Sequence, residues 1–299
     1  METKFKSLMD FDKKFPDEQS CRDRLEQARW HGEPVCAQCG SVRKIYHVAD
    51  GKLLKCADCR RQFSVRVGTI FEDSALPLKK WFLAIYILNA HKKGISSCQL
   101  AKDIEVTQKT AWFMLHRIRY ATKHNTFMKP LNGIVEVDET FVGGRADGRG
   151  HRDKFNNKTP VFGMVERQGE VRAMPVPQTN ASCLMPIINS NISPDAVIMS
   201  DDYSVYDNLG RTLKDHKVVN HSKKEYVRGE AHTNTIEGFW SLMKRGINGI
   251  YHHVSQEHLH RYTDEFAYRY NSRKSTDPER FENFLERVEG RLTYKKLIE

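Results

Sequence analysis

The sequence predicts an α/β multi-domain protein, and three observations point to it. Two Cys-x-x-Cys pairs stand near the start, Cys36/Cys39 and Cys56/Cys59. A stretch of helical periodicity with a basic surplus follows them. Beyond it, two short apolar runs each end in adjacent acids: Ile134-Val135-Glu136-Val137-Asp138-Glu139 and Ala196-Val197-Ile198-Met199-Ser200-Asp201-Asp202. At 299 residues the chain outgrows a single small core. Composition and turn signals divide it into a helical lead-in (1–30), a cysteine ribbon (31–72), a helical module (73–128), a sheet domain (129–275) and a helical tail (276–299).

With 39% hydrophobic and 29% charged residues the chain reads as globular rather than disordered. No apolar run approaches the roughly twenty residues of a membrane span. Met1-Glu2-Thr3-Lys4-Phe5-Lys6 has no apolar signal core, so the expected location is cytoplasmic, nucleoid-associated when bound to DNA. The net charge of +10 is concentrated. Residues 51–130 hold 15 Lys and Arg against 5 Asp and Glu, while the flanking regions balance. A basic module beside a neutral one implies a polyanionic partner, and nucleic acid is the expected one.

In the lead-in, Pro16-Asp17-Glu18 marks a helix start, with Cys21, Leu25, Ala28 and Trp30 along one face. The two Cys-x-x-Cys knuckles are sixteen residues apart, the spacing of a four-cysteine zinc ribbon. Each knuckle turns two thiolates inward and two knuckles close a tetrahedron, so one structural Zn²⁺ on Cys36, Cys39, Cys56 and Cys59 is expected. Lys44–Val48 and Gln62–Val65 read as ribbon strands. An odd total of seven cysteines argues against a disulfide framework.

The helical module has apolar Trp81, Phe82, Ala84, Ile85 and Leu88 on its first helix. A short helix follows, with Leu100 and Ile104 on one side and Cys98 expected in the core. Thr107 can then cap a helix bearing Ala111, Met114, Leu115 and Ile118. A short helix, tight turn and capped helix suggest a helix-turn-helix, with Gln108, Lys109, Trp112 and Arg117 as the expected DNA contacts. An ordinary three-helix bundle is the competing reading, and the basic surplus favours DNA.

In the sheet domain, strands at 134–142, 160–166 and 171–176 form a meander, with Arg167-Gln168-Gly169-Glu170 as a hairpin turn. A helix at 181–192, a strand ending at Asp201, a helix at 204–213, a strand at 217–220 and a helix from about Thr233 complete an RNase H-like order. In that order the first and fourth strands are neighbours, bringing Asp138 and Asp201 together. Glu237 lies on the helix after Thr233, with Lys244 two turns further along the same face. Two strand-end acids and a helical acid are the parts of a two-metal phosphoryl-transfer site. Glu139 and Asp202 read as supporting acids. A last helix, 256–271, buries Leu259, Tyr262, Phe266 and Tyr270, with His258, His260, Arg261 and Arg269 expected on its surface.

These motifs resemble the insertion-sequence DDE transposases that carry an N-terminal zinc ribbon, relatives of the retroviral integrases through the RNase H-like fold. The marks are the four cysteines, Val135-Glu136-Val137-Asp138-Glu139-Thr140, Ser200-Asp201-Asp202-Tyr203 and His232-Thr233-Asn234-Thr235-Ile236-Glu237-Gly238-Phe239-Trp240. Tyr251-His252-His253-Val254-Ser255 and Phe266-Ala267-Tyr268-Arg269-Tyr270-Asn271 belong with them, and the likeness runs from about Phe15 to Arg273. The resemblance implies binding of terminal inverted repeats and target DNA, metal-dependent strand cleavage and strand transfer, and assembly on DNA as at least a dimer. It implies two Mg²⁺, with Mn²⁺ as a substitute, held by Asp138, Asp201 and a third residue, and Lys244 beside the DNA backbone. In this family the third residue is Glu, Asn or His, which leaves Glu237 and Asn234 both open; a carboxylate on magnesium favours Glu237. His232 is expected near the site. A DNA-binding derivative without catalysis and a nuclease without strand transfer are the competing functions.

Overall fold

The computed structural model describes residues 5, 7–123, 129–143, 158–207, 209, 214–219 and 229–298. The Gly- and Arg-rich stretch from Gly144 to Asp153, Asn220, His221 and the end of the helix expected to reach Leu213 lie outside the described residues. The chain forms two compact units, Met1–Thr122 with Lys274–Glu299, and Lys123–Arg273. No helix among the described residues is long and apolar enough to cross a membrane.

The first unit begins with α1 (Leu8–Lys14) and α2 (Glu18–Trp30). Asp17 caps α2 through a capping box with Ser20, which satisfies donors the first turn leaves unpaired. Cys21, Leu25 and Ala28 are buried on one face of α2. The ribbon follows as β1 (Ile45–Val48), β2 (Leu53–Cys56) and β3 (Gln62–Phe63), antiparallel in that order. Its middle strand, β2, was absent from the expected pattern.

Helices α3 (Leu78–Ala90), α4 (Ser97–Asp103) and α5 (Gln108–Ala121) complete the helical module. Between α4 and α5 the turn passes through Glu105 in the left-handed region, φ 53°, and Val106 N–H returns to the Ala101 carbonyl. Thr107 caps α5 by accepting from Thr110 N–H. Cys98 is exposed, contrary to expectation, because Leu100, Ala101 and Ile104 take the inward positions of this turn.

In the second unit, β4 (Ile134–Val142), β5 (Thr159–Glu166) and β6 (Val171–Pro175) form the antiparallel meander. After α6 (Ala181–Asn191), β7 (Val197–Ser200) runs parallel to β4 and β8 (Asp215–Val218) parallel to β7. The sheet order β6-β5-β4-β7-β8 is the RNase H-like order. Where a helix from Ser204 was expected, the structure shows a 3₁₀ turn at Ser204–Tyr206. Helices α7 (Asn234–Gly246) and α8 (Gln256–Asn271) cover one sheet face, packing Ile236, Phe239, Trp240, Met243 and Phe266 against Val161 and Val165. On the opposite face Val135, Val137 and Phe162 meet Leu184 and Ile188 of α6. Arg261 and Arg269 are buried rather than superficial, and Arg269 pairs with Glu265 one turn away.

The C-terminal helices α9 (Asp277–Leu285) and α10 (Tyr294–Ile298) belong to the first unit. Phe281 of α9 packs edge-on against Phe11 and Phe82 at ring separations of 5.3 and 5.5 Å.

Candidate active site and zinc centre

The ribbon brings its four cysteines together. Cys36 Sγ is 3.7 Å from Cys59 Sγ, and Cys39 Sγ is 3.8 Å from Cys56 Sγ. All four sulfurs lie within 4.8 Å of one another. Sulfurs about 2.3 Å from a tetrahedral zinc lie roughly 3.8 Å apart, so this donor set fits Zn²⁺. Backbone geometry helps: Gly40 and Arg60, each just after a knuckle, sit at positive φ.

In the sheet domain, register places the acids. Ile134 pairs with Val197, Val135 with Ile198 and Glu136 with Met199, so the same parallel offset sets Asp201 beside Asp138. Asp138 sits above its ordinary range, at about 7, chiefly because burial penalises its charge, with the neighbouring carboxylates of Glu139 and Asp201 adding to the shift. Burial also raises Glu139, with Asp201 adding to the shift and a hydrogen bond from Tyr206 opposing it. Successive residues of a strand point to opposite faces, so Asp138 turns toward α7 and Glu139 toward Tyr206. Asp201 accepts from Tyr203 N–H at 3.1 Å, and Ser200 Oγ lies 2.8 Å from His216 Nε2 on β8.

Trp240 supplies a contact the sequence did not suggest. Its indole N–H donates to Asp138 Oδ2 at 2.9 Å. Gly163, directly opposite Asp138 across the β4–β5 pair, makes room for the ring: an added Cβ there would stand 2.5 Å from Trp240 Cη2.

Glu136 is a second feature that was missed. It is 0% exposed, two residues before Asp138 on the same face of β4. Its carboxylate accepts from Thr235 N–H at 2.8 Å, Ile236 N–H at 3.0 Å and Arg167 Nε at 2.7 Å. An acid at a helix N-terminus meets unpaired N–H groups and the positive end of the helix dipole. Arg167 also donates to the carbonyls of Glu230 and His232, so the hairpin turn and Glu136 together fix the start of α7. His232 Nδ1 stands 3.2 Å from Glu136 Oε1, which places it at this anchor. An acid inside Ile-Val-Glu-Val was the available signal.

On α7, Asn234 and Glu237 are both exposed, and Glu237 accepts from Thr233 Oγ1 at 2.8 Å. At about 100° per residue, Glu237 and Lys244 lie roughly 60° and 40° from Trp240, whereas Asn234 lies about 120° away. Lys244 is exposed and lines a cavity of about 290 Å³ with Phe141, Val142, Gly143, Lys158, Ile247 and Asn248. The oxygen donors of Asp138, Asp201 and Glu237 are hard ligands suited to Mg²⁺. Among the described residues, however, the cysteines are the only group of three or more His, Cys, Asp or Glu side chains placed to share an ion.

In the helical module, Gln108 and Lys109 are exposed at the start of α5 and Trp112 is half-buried. Lys109 Nζ lies 5.3 Å from the Tyr294 ring centroid. Arg117 is buried and does not present itself to DNA. It donates to the carbonyls of Leu292, Ile70 and Glu72 and stacks over Phe113. It ties helix to tail, a role that a basic residue on a helix does not announce.

Residues 130–271 match the ISXO2-like transposase domain, and residues 16–62 match the transposase zinc-ribbon domain. The uncharacterized protein in transposable element ISH50 of Halobacterium salinarum is 29% identical over 294 residues, spanning 92% of this chain and 98% of its own. An uncharacterized transposase-like protein of Haemophilus influenzae is 28% identical over 103 residues, 34% of this chain and 82% of its own.

Proposed function

Because the chain belongs to the insertion-sequence transposases with an N-terminal zinc ribbon, we propose that it binds the terminal inverted repeats of its element and catalyses metal-dependent strand cleavage and strand transfer. The observation that carries the catalytic part is the β4–β7 register, which sets Asp138 beside Asp201 at the ends of parallel neighbours. Asp138, Asp201 and Glu237 would hold two Mg²⁺, or Mn²⁺ in their place. When bound, such ions would supply activation of an attacking oxygen, of water or of a DNA 3′-hydroxyl, and stabilisation of a leaving one.

Asp138 offers its oxygens from the sheet while Trp240 orients the carboxyl. Glu237 is preferred over Asn234 as the third residue, since it shares the Trp240 side of α7 with Lys244. Lys244 contacts the phosphate backbone from the end of that helix. Glu136 and Arg167 act behind the site by holding the start of α7. In the first unit, Gln108, Lys109 and Trp112 at the start of α5 are the proposed helix-turn-helix contacts, and the active form on paired ends is at least a dimer.

The test incubates the full chain and Mg²⁺ with DNA carrying the element's ends and a plasmid target. Joined end–target products are the expected result. Cleavage without joining would leave a nuclease, and binding without either would leave a DNA-binding derivative.

A further inference from the structure

The short C-terminal helix α10 packs where α5 begins. Phe113 of α5 meets the Tyr294 ring edge-on at 5.5 Å, and Lys109 Nζ, one turn earlier, lies 5.3 Å from the same ring centroid. Tyr294 nevertheless stays 39% exposed, and Lys295 and Lys296 beside it are exposed as well. The tail is built into this unit rather than laid over it. Val288, Leu292 and Leu297 are buried, Gly290 N–H donates to the Gly68 carbonyl at 2.8 Å, and Ile70 N–H donates to the Val288 carbonyl at 2.9 Å. Arg117 binds the Leu292 carbonyl to α5 at 3.0 Å.

This packing leaves α5 little to offer DNA by itself. Gln108 and Lys109 are exposed, Trp112 and Phe113 are half-buried, and every residue from Met114 to Arg119 is buried. A single DNA-binding module buries about 600–1,000 Å² of its surface. The first turn of one helix is too small for that, so further contacts must come from a surface continuous with it. α10 is such a surface, and its charge has the right sign. Over residues 286–299 four Lys or Arg meet three acids, but the helix itself carries Lys295 and Lys296 and no acid. Glu289 pairs with Arg29, and Arg291 with Glu72 and Asp73, so those charges offset one another. At the start of α5, Asp103 accepts from Gln99 Nε2 at 2.7 Å, and Glu105 stands two residues before the Thr107 cap. Glu299 lies outside the described residues.

We infer that α10 is a wing of the DNA-binding surface. Lys295 and Lys296 contact the duplex backbone beside the groove that the first turn of α5 enters, and Tyr294 holds the Lys109 ammonium against its ring, toward that groove. The inference rests on the reading of α5 as a DNA contact and goes beyond it. It adds a backbone contact from the end of the chain, outside both matched domains, 16–62 and 130–271.

The test uses the full chain and fluorescence anisotropy on two duplexes of equal length, one carrying the element's end and one unrelated. Lys295→Gln/Lys296→Gln should weaken binding to both by the same factor, about threefold or more at low salt. The slope of log affinity against log salt should become shallower by about one to two. Tyr294→Ala should weaken binding as Lys109→Gln does and add nothing in the Lys109→Gln background, whereas Tyr294→Phe keeps the ring and should bind like wild type. An unchanged denaturation midpoint shows that the unit is intact; should Tyr294→Ala lower it, the exposed lysine pair decides alone. Wild-type affinity and slope in the lysine variant would overturn the proposal. So would a loss confined to the end duplex, or tighter binding, which would make α10 a cover over α5. Failure of the wild type to bind either duplex would instead sink the transposase reading, and binding indifferent to Lys109→Gln would sink the assignment of α5.

Discussion

Gly163 opposite Asp138 offers a sharp test of how the site is held. Replacing it with alanine adds one methyl group. In an unstrained strand that change stabilises, because alanine loses about 0.5–1 kcal/mol less on ordering than glycine. Here the new Cβ would stand 2.5 and 2.6 Å from Trp240 Cη2 and Cζ2, and 3.1 Å from Ile236 Cδ1. Trp240 is 4% exposed and Ile236 0%, so neither can swing into solvent. Overpacking of this kind costs about 1–3 kcal/mol, which outweighs the entropic gain. If the indole shifts, its bond to Asp138 goes as well, a charge-assisted contact of about 1.5–3 kcal/mol. Denaturant unfolding of Gly163→Ala should show a loss of about 2 kcal/mol and a changed tryptophan emission. Trp240→Phe separates the two effects, keeping a ring while removing the N–H. In the Gly163→Ala background it should cost less than in the wild type. A Gly163→Ala protein as stable as wild type, with unaltered emission, would refute the packing argument.

Four further outcomes are expected. Cys56→Ser should abolish zinc retention and unfold the ribbon, measured by metal analysis and circular dichroism, because metal affinity at such a site is folding energy. Arg117→Met should lower stability by about 2–4 kcal/mol in denaturant titration, since it strands three carbonyl partners, and Lys109→Glu should weaken DNA binding with little effect on stability. Burial raises the Asp264 carboxyl to about 7, against the opposing pull of Lys123. Its folded value therefore exceeds its unfolded one, so stability falls as pH rises from about 4 through 7. Asp264→Asn should accordingly be more stable than wild type at pH 8 by roughly 1–4 kcal/mol, and should lose that advantage near pH 4, as read by denaturant midpoints at both pH values.

What the sequence disclosed follows the range of its signals. Local patterns such as cysteine spacing, Thr107 as a cap and apolar runs ending in acids led to the ribbon, to α5 and to the parallel neighbours β4 and β7. Pairings between distant residues were silent. Nothing local ties Gly163 to Trp240, Glu136 to the start of α7, or Phe281 to Phe11, because each joins segments that meet only after folding. Arg117 shows the limit of charge as a guide. A basic side chain in the second half of such a helix can spend its donors on buried carbonyls, and only burial distinguishes that use from contact with phosphate.

The pair Asp138 and Asp201 carries the central claim, and a single comparison tests it. Wild type, Asp138→Ala and Asp201→Ala are each assayed for cleavage and joining of element ends in Mg²⁺, with end binding measured in parallel. On the proposed reading each substitution should abolish both reactions while binding stays near the wild-type level, because the lost acid is a proposed metal ligand of the second unit and the proposed DNA contacts of α5 lie in the first. Full cleavage and joining by Asp138→Ala would contradict the assignment of chemistry to this strand end.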